Sequence, residues 1–228
     1  GEDEDLVLLD HEDATALLRA YGIQTPQQQV VTGAPAAAEA AARIGGKVAV
    51  KALGGELLHK SDVGGVALHL QGAAEVLARA QVMQKAVEET GHSLDRFLVQ
   101  EMVSDGVELI VGTRREEGYG TILMAGLGGL FAEALKDVQV RLLPVTPTEA
   151  HEMLEGLRGY PLLAGEVRGK GVHLETVVKL LGRVAQMAEE LPELAEIELN
   201  PVICSHEAGD CWAVDAVLRV DPARVEAE

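Results

Sequence analysis

Scarce aromatics, scarce cations and nearly absent cysteine set the first limits on this chain. Only 3% of its 228 residues are aromatic, only two are cysteine (Cys204 and Cys211), and 19 Lys and Arg stand against 37 Asp and Glu, for a formal net charge of −18. Base-stacking platforms need aromatic rings, and phosphate backbones are gripped by Lys and Arg clusters, so nucleic acid is excluded as a partner. Two cysteines are too few for a disulfide scaffold, and the expectation is free, packed thiols in a reducing cytoplasm. No apolar run approaches the roughly 20 residues that span a bilayer. The acidic start, Gly1 to Asp5, lacks the basic and apolar parts of a signal peptide and reads as a linker or chain end. Neither a GxGxxG after a strand nor a Walker A motif is present.

What is there is a chain with 47% apolar residues, enough for a packed core in one domain or two small ones. Any phosphate it binds must be held locally, by a few cations, backbone amides and metal. The apolar spacing predicts helices over 10–20, 34–44, 72–89, about 147–158 and 173–191. Val76, Ala80, Met83 and Val87 share one helical face, and Thr146-Pro147-Thr148-Glu149 is a capping box with Pro at the first helical position. Strands are expected at 28–32, 47–53, 66–70, 96–103, 107–113, 121–125, 131–135, 139–145, 196–204 and 211–218. The order is mixed α+β, with hairpins that favour antiparallel sheets.

Four stretches carry candidate chemistry. Glu198 and Asn200 lie two apart in a strand and leave the same face. Asp215 sits mid-strand among apolar residues, where a carboxylate needs a partner or a cation. If Cys204 lies opposite Cys211, the same register puts Asn200 opposite Asp215. Two carboxylates and an amide oxygen then suit Mg²⁺, although an edge hairpin with solvated acids would read the same. Lys51, ending the run Val48-Ala49-Val50, borders the glycine-rich segment 54–65 with His59, Lys60, Gly64 and Gly65. A strand lysine can reach phosphate as a point charge, and glycine amides can form an anion nest. His59 is open to three roles: general base, phosphate ligand or phosphoryl-accepting nucleophile; a surface histidine in a turn is the plain alternative. The backbone around Glu101, Met102 and Val103 could read an adenine edge, and Glu108 could accept from ribose hydroxyls. Gly126 to Gly129 is a second candidate for a phosphate- or partner-contacting loop, but reads first as a tight turn between strands. Arg141, in an apolar strand, is expected to pair with a carboxylate or a phosphate.

Together HKSDVGGV, LVQEMV, GVELIVG, GLGGLFAEALKDV, GYPLL, ELNPV and AVDA resemble one family. It is the ATP-grasp beta subunit, or beta-type domain, of ADP-forming acyl-CoA synthetases, and more distantly the beta subunit of succinyl-CoA synthetase. The resemblance covers about Asp10 to Asp221 and implies two lobes of mostly antiparallel sheet gripping a nucleotide. It implies lobes at 20–100 and 101–222, with helix 10–20 packed on the second and 1–9 a linker. Lys51 would contact phosphates together with Lys60, Gly64 and Gly65. Glu101, Met102 and Val103 would form the adenine hinge, and Glu108 the ribose contact. Glu198, Asn200 and Asp215 would hold Mg²⁺ with ATP or ADP, and His59 would carry phosphate. The family's partner is an alpha-type subunit, or upstream domains, with the CoA site and a first phosphohistidine. Two other readings compete: the regulatory ATP-grasp domain of a protein lysine acetyltransferase, and a carboxylate–amine ligase that needs no CoA-binding partner.

Overall fold

A computed structural model describes residues 6–54, 65–89, 93–94, 96–103, 106–116, 118–129, 137–167, 169–206 and 209–225. In chain order the elements are β1 (Val7–Leu8), α1 (His11–Ala20), β2 (Gln28–Thr32), α2 (Ala34–Ile44), β3 (Lys47–Leu53), β4 (Val66–Gln71), α3 (Gly72–Glu89), β5 (Arg96–Glu101), β6 (Gly106–Glu116), β7 (Gly120–Leu127), β8 (Val138–Leu142), α4 (Pro147–Glu155), α5 (Tyr160–Leu163), α6 (Leu174–Glu190), β9 (Leu194–Ser205), β10 (Cys211–Ala213), β11 (Ala216–Val220) and α7 (Pro222–Val225). The expected strand at 131–135 lies outside the described residues. Two compact units emerge: Pro26–Val103, and Gly1–Thr25 with Ser104–Glu228.

In the Pro26–Val103 unit the strands run antiparallel in the order β2-β5-β3-β4. Helices α2 and α3 cover one face. Ala37, Ala40 and Ala41 of α2 are small enough for close approach, and Val76, Ala80, Met83 and Val87 of α3 repeat at helical spacing. They pack with Val48, Val50, Ala52, Phe97 and Val99 into one core. Strand β4 bulges where Val48 pairs with Leu70 but Val50 with Ala67, and His69 there takes φ 60°. A bulge bends its strand and leaves the extra residue outside the ladder.

The other unit holds a sheet in the order β1-β11-β9-β6-β7-β8, with β10 also paired to β9. Helix α6 buries Val177, Leu181, Val184 and Ala188 in a core shared with Leu109, Val111, Leu123, Ile197 and Leu199. Ala14 and Leu18 of α1 join the same core. The capping box forms as expected: Thr146 Oγ1 accepts from the Glu149 N–H, and Glu149 Oε2 accepts from the Thr146 N–H. Among the described residues no helix is long and apolar enough to cross a membrane.

Three expectations need correction. The stretch 1–9, read as a linker, supplies β1, in which Val7 pairs with Val220 and Leu8 with Arg219; two residues are too short to leave a periodic pattern. Cys204 and Cys211 are bonded to each other rather than free. They are a directly opposed cross-strand pair with Cα atoms 4.1 Å apart, the close spacing typical of a non-hydrogen-bonded antiparallel pair. The strand through Asp215 is broken: β10 ends at Ala213 and β11 begins at Ala216. Its partner strand carries Pro201, which has no N–H to give the ladder.

Candidate functional site

The break at Asp215 stands against a bulge. Strand β6 pairs Leu109 with Val202 but Val111 with Leu199, so Asn200 and Pro201 together face Ile110. An extra residue in one strand bends it and re-aims its side chains. On both sides of the gap the hairpin keeps one register: Cys211 faces Cys204, and Ala216 faces Leu199. Within the gap, the Asn200 N–H donates to the Asp215 carbonyl at 3.0 Å and the Val214 N–H to the Pro201 carbonyl at 3.0 Å. The sequence-derived neighbourhood of Asn200 and Asp215 therefore exists, though in irregular backbone.

Ile197 and Leu199 point into the core, which turns Glu198 to the opposite face. There Asn200 Nδ2 donates to Glu198 Oε1 at 3.3 Å. The Asp215 carboxylate accepts from the Ala216 N–H at 3.1 Å. The donor set is hard throughout, two carboxylates and an amide oxygen, as small divalent cations prefer. Among the described residues no three His, Cys, Asp or Glu side chains gather closely enough to hold a metal by themselves; the candidate set reaches three only with the amide of Asn200. Gly112 lies opposite Glu198 on β6. A Cβ at Gly112 would stand 2.5 Å from the Ile197 carbonyl oxygen, so glycine is what lets β6 approach β9 beside Glu198.

Glu108, an exposed residue of β6, is held by the glycine turn after β7. The Gly128 N–H donates to the Glu108 carbonyl at 2.7 Å. Gly129 has φ +62°, and a Cβ there would stand 2.8 Å from Glu108 Oε2. Gly126 itself lies within β7, paired with Val138 of the antiparallel neighbour β8, and the turn begins only after Leu127. Where the chain returns at Asp137, that residue is buried (5% exposed). Its two carboxylate oxygens accept from the N–H groups of Arg158 and Gly159, each at 2.8 Å. Asp137 and Gly112 were missed in the sequence. The joint presence of KDV and the glycine-containing RGY was the available signal for Asp137, whereas nothing local marks Gly112. Arg141 donates to the Val140 carbonyl at 2.9 Å.

In the Pro26–Val103 unit, Lys51 pairs with Val66 and Leu98 and is 5% exposed. Val48, Val50 and Ala52 face the helices, so Lys51 takes the other face of the sheet. Ala49, Gln100 and Gln28 lie side by side on that face, with Gln100 Nε2 donating to Gln28 Oε1 at 2.7 Å. The Gly65 carbonyl accepts from the Ala52 N–H at 2.8 Å, next to Lys51. Glu101 ends β5; its N–H donates to Gln27 O and that of Met102 to Lys47 O, at 2.8 and 3.0 Å. Val103 follows, half-buried. His59, Lys60 and Gly64 lie outside the described residues.

Residues 2–220 match the family described as ATP-grasp domain. Over 206 residues the chain is 35% identical to the beta subunit of ADP-forming acetate–CoA ligase I from Pyrococcus furiosus, covering 90% of this chain and 88% of that subunit. It is 40% identical over 197 residues to ADP-forming acetate–CoA ligase II from Archaeoglobus fulgidus, covering 86% of this chain but only 28% of that longer protein. Among solved structures, it resembles acetyl-coenzyme A synthetase 1 of Ca. Korarchaeum cryptofilum in complex with coenzyme A and Mg-AMPPCP, whose phosphohistidine segment points towards the nucleotide binding site. That likeness has a TM-score of 0.80 at 32% identity over 93% of this chain and 92% of the other. The chain belongs to the ATP-grasp family, in the group that includes the beta subunits of ADP-forming acetate–CoA ligases.

Proposed function

We propose that this chain is the nucleotide-binding, phosphoryl-transferring part of an ADP-forming acyl-CoA synthetase, which interconverts acyl-CoA, ADP and phosphate with the free acid, CoA and ATP. The observation that carries the reading is the juxtaposition of Glu198, Asn200 and Asp215 by one side-chain and one backbone hydrogen bond. These three would hold Mg²⁺ with ATP or ADP. The ion supplies charge neutralisation for the phosphate oxygens when bound. Glu108 accepts from the ribose hydroxyls. In the Pro26–Val103 unit, Lys51 donates to phosphate oxygens, with Lys60 and the amides of Gly64 and Gly65 beside it in sequence. The Glu101 and Met102 N–H groups are engaged by backbone carbonyls, and the backbone of Glu101, Met102 and Val103 together forms the adenine hinge.

His59 takes the phosphoryl group as nucleophile. The bond from phosphorus to the partner's histidine nitrogen breaks as the bond to a His59 nitrogen forms. The terminal phosphate oxygen of ADP then attacks, giving ATP and regenerating the imidazole. Splitting the transfer keeps each displacement short and in line. The partner is an alpha-type CoA-binding subunit or domain, a reading supported by the subunit names of the relatives and by the phosphohistidine segment of the Korarchaeum structure.

The test mixes the chain and Mg-ADP with an alpha-type partner carrying ³²P-phosphohistidine. Label should pass to ATP with the wild type and fail to do so with His59→Ala. Undiminished transfer by the variant would remove the relay role. A wild type that binds Mg-ADP yet never accepts label would favour the regulatory-domain reading instead.

A further inference from the structure

The glycine turn after β7 touches Glu108 at two levels. The Gly128 N–H fixes the Glu108 backbone through its 2.7 Å bond to the carbonyl. Gly128 also leaves only 3.1 Å between its own Cβ position and the Glu108 Cβ. Gly129 then presents a bare backbone face to the carboxylate, with the Cβ position 2.8 Å from Oε2 and 3.5 Å from Cδ. With the carboxylate in this position, a side chain at Gly129 fits only if Glu108 moves. The φ of +62° at Gly129 is the conformation glycine adopts without strain. Since Glu108 is exposed and two or more bonds from its backbone anchor, it has rotamers to choose from; the turn closes off one side.

We infer that Gly129 is a positioning residue for nucleotide recognition: its missing side chain sets where the Glu108 carboxylate sits, and so how strongly the site prefers a ribonucleotide to one without sugar hydroxyls. This rests on the ribose role proposed for Glu108. Adding a Cβ at Gly129 meets the far end of a flexible side chain rather than backbone. The carboxylate swings away, the fold tolerates the change, and the loss falls on sugar recognition. Gly129 acts through Glu108, without touching the ligand.

The test is calorimetric titration with Mg-ADP and Mg-2′,3′-dideoxy-ADP of the wild type, Gly129→Ala, Gly129→Asn, Glu108→Ala and the Glu108→Ala/Gly129→Ala double variant. Asn accepts positive φ better than most residues, so Gly129→Asn keeps the turn while still adding a Cβ, and thermal melts confirm folding. A hydrogen bond to a charged acceptor gives the wild type a preference for ADP of about tenfold or more. Both glycine variants should lose most of that preference. Glu108→Ala should lose it too, and the double variant should match Glu108→Ala alone. Preference retained in both glycine variants overturns the inference, as does a glycine effect that persists undiminished in the Glu108→Ala background. A wild type that binds both nucleotides equally removes Glu108 from the ribose, and this inference with it, while the Mg-nucleotide site stands. A wild type that binds neither sinks the site as well.

Discussion

Two glycines, Gly112 in β6 and Gly129 in the turn after β7, do different work because of what a Cβ would strike. At Gly112 the obstacle is the backbone oxygen of Ile197, 2.5 Å away, and backbone in a paired strand cannot step aside. Gly112→Ala should therefore cost about 1–3 kcal/mol of stability, read by urea denaturation, and should weaken Mg-ADP binding by shifting Glu198. At Gly129 the obstacle is a mobile carboxylate oxygen, so the stability loss should stay near the ~1 kcal/mol expected for a non-glycine residue at positive φ. Lys51 offers a third contrast. It is a charge at 5% exposure, and a buried charge is costly unless it is paired. Lys51→Met should lower Mg-ADP affinity at least tenfold. An affinity left unchanged in a variant that still melts cooperatively would assign Lys51 to the fold instead of the ligand.

At the scale of elements, the α4 capping box links sequence directly to stability. Thr146→Ala should remove about 1 kcal/mol at pH 7. Hydrogen bonds from the Thr146 side chain, and then its backbone, hold the Glu149 carboxyl below the ordinary glutamate range. A depressed folded-state pKa adds stability above the unfolded value, and that stability is lost as pH falls through the folded one. The difference between wild type and Thr146→Ala should therefore shrink in acid; denaturation at pH 7 and at pH 3 reads it, and a gap that widens at low pH contradicts the assignment. Such elements were legible because their signals are local: the box spans four residues, and the buried faces of α3 and α6 repeat every three or four. The hairpin register was legible as well, because two cysteines marked it. The bulge was not. The pattern of buried Ile197 and Leu199, then Val202 and Cys204, changes parity at Asn200-Pro201, but only pairing with β6 shows that two residues there face one. Asp137 stayed hidden for a related reason: its partners, Arg158 and Gly159, lie more than twenty positions away, and no periodicity connects them.

For the molecule as a whole, each unit has its own core, and over both lies a formal charge of −18. Like charges on one chain repel, and salt screens those more than about 10 Å apart at 0.1 M. The thermal midpoint should rise when NaCl is raised from 0.01 to 0.2 M; a fall would mean that attractive surface pairs dominate. Overall charge says nothing about where a few oxygens come together, whereas strand register does. That is why the backbone neighbourhood of Asn200 and Asp215 was foreseeable from spacing, whereas the close approaches at Gly112 and Gly129 were not. The most direct measurement is calorimetric titration of the intact chain with Mg-ADP, in the wild type and in Asp215→Ala. Saturable one-to-one binding by the wild type, weakened at least tenfold in the variant, is the expected result; equal affinity in the two proteins, or no heat from the wild type, contradicts a magnesium-nucleotide site at Glu198, Asn200 and Asp215.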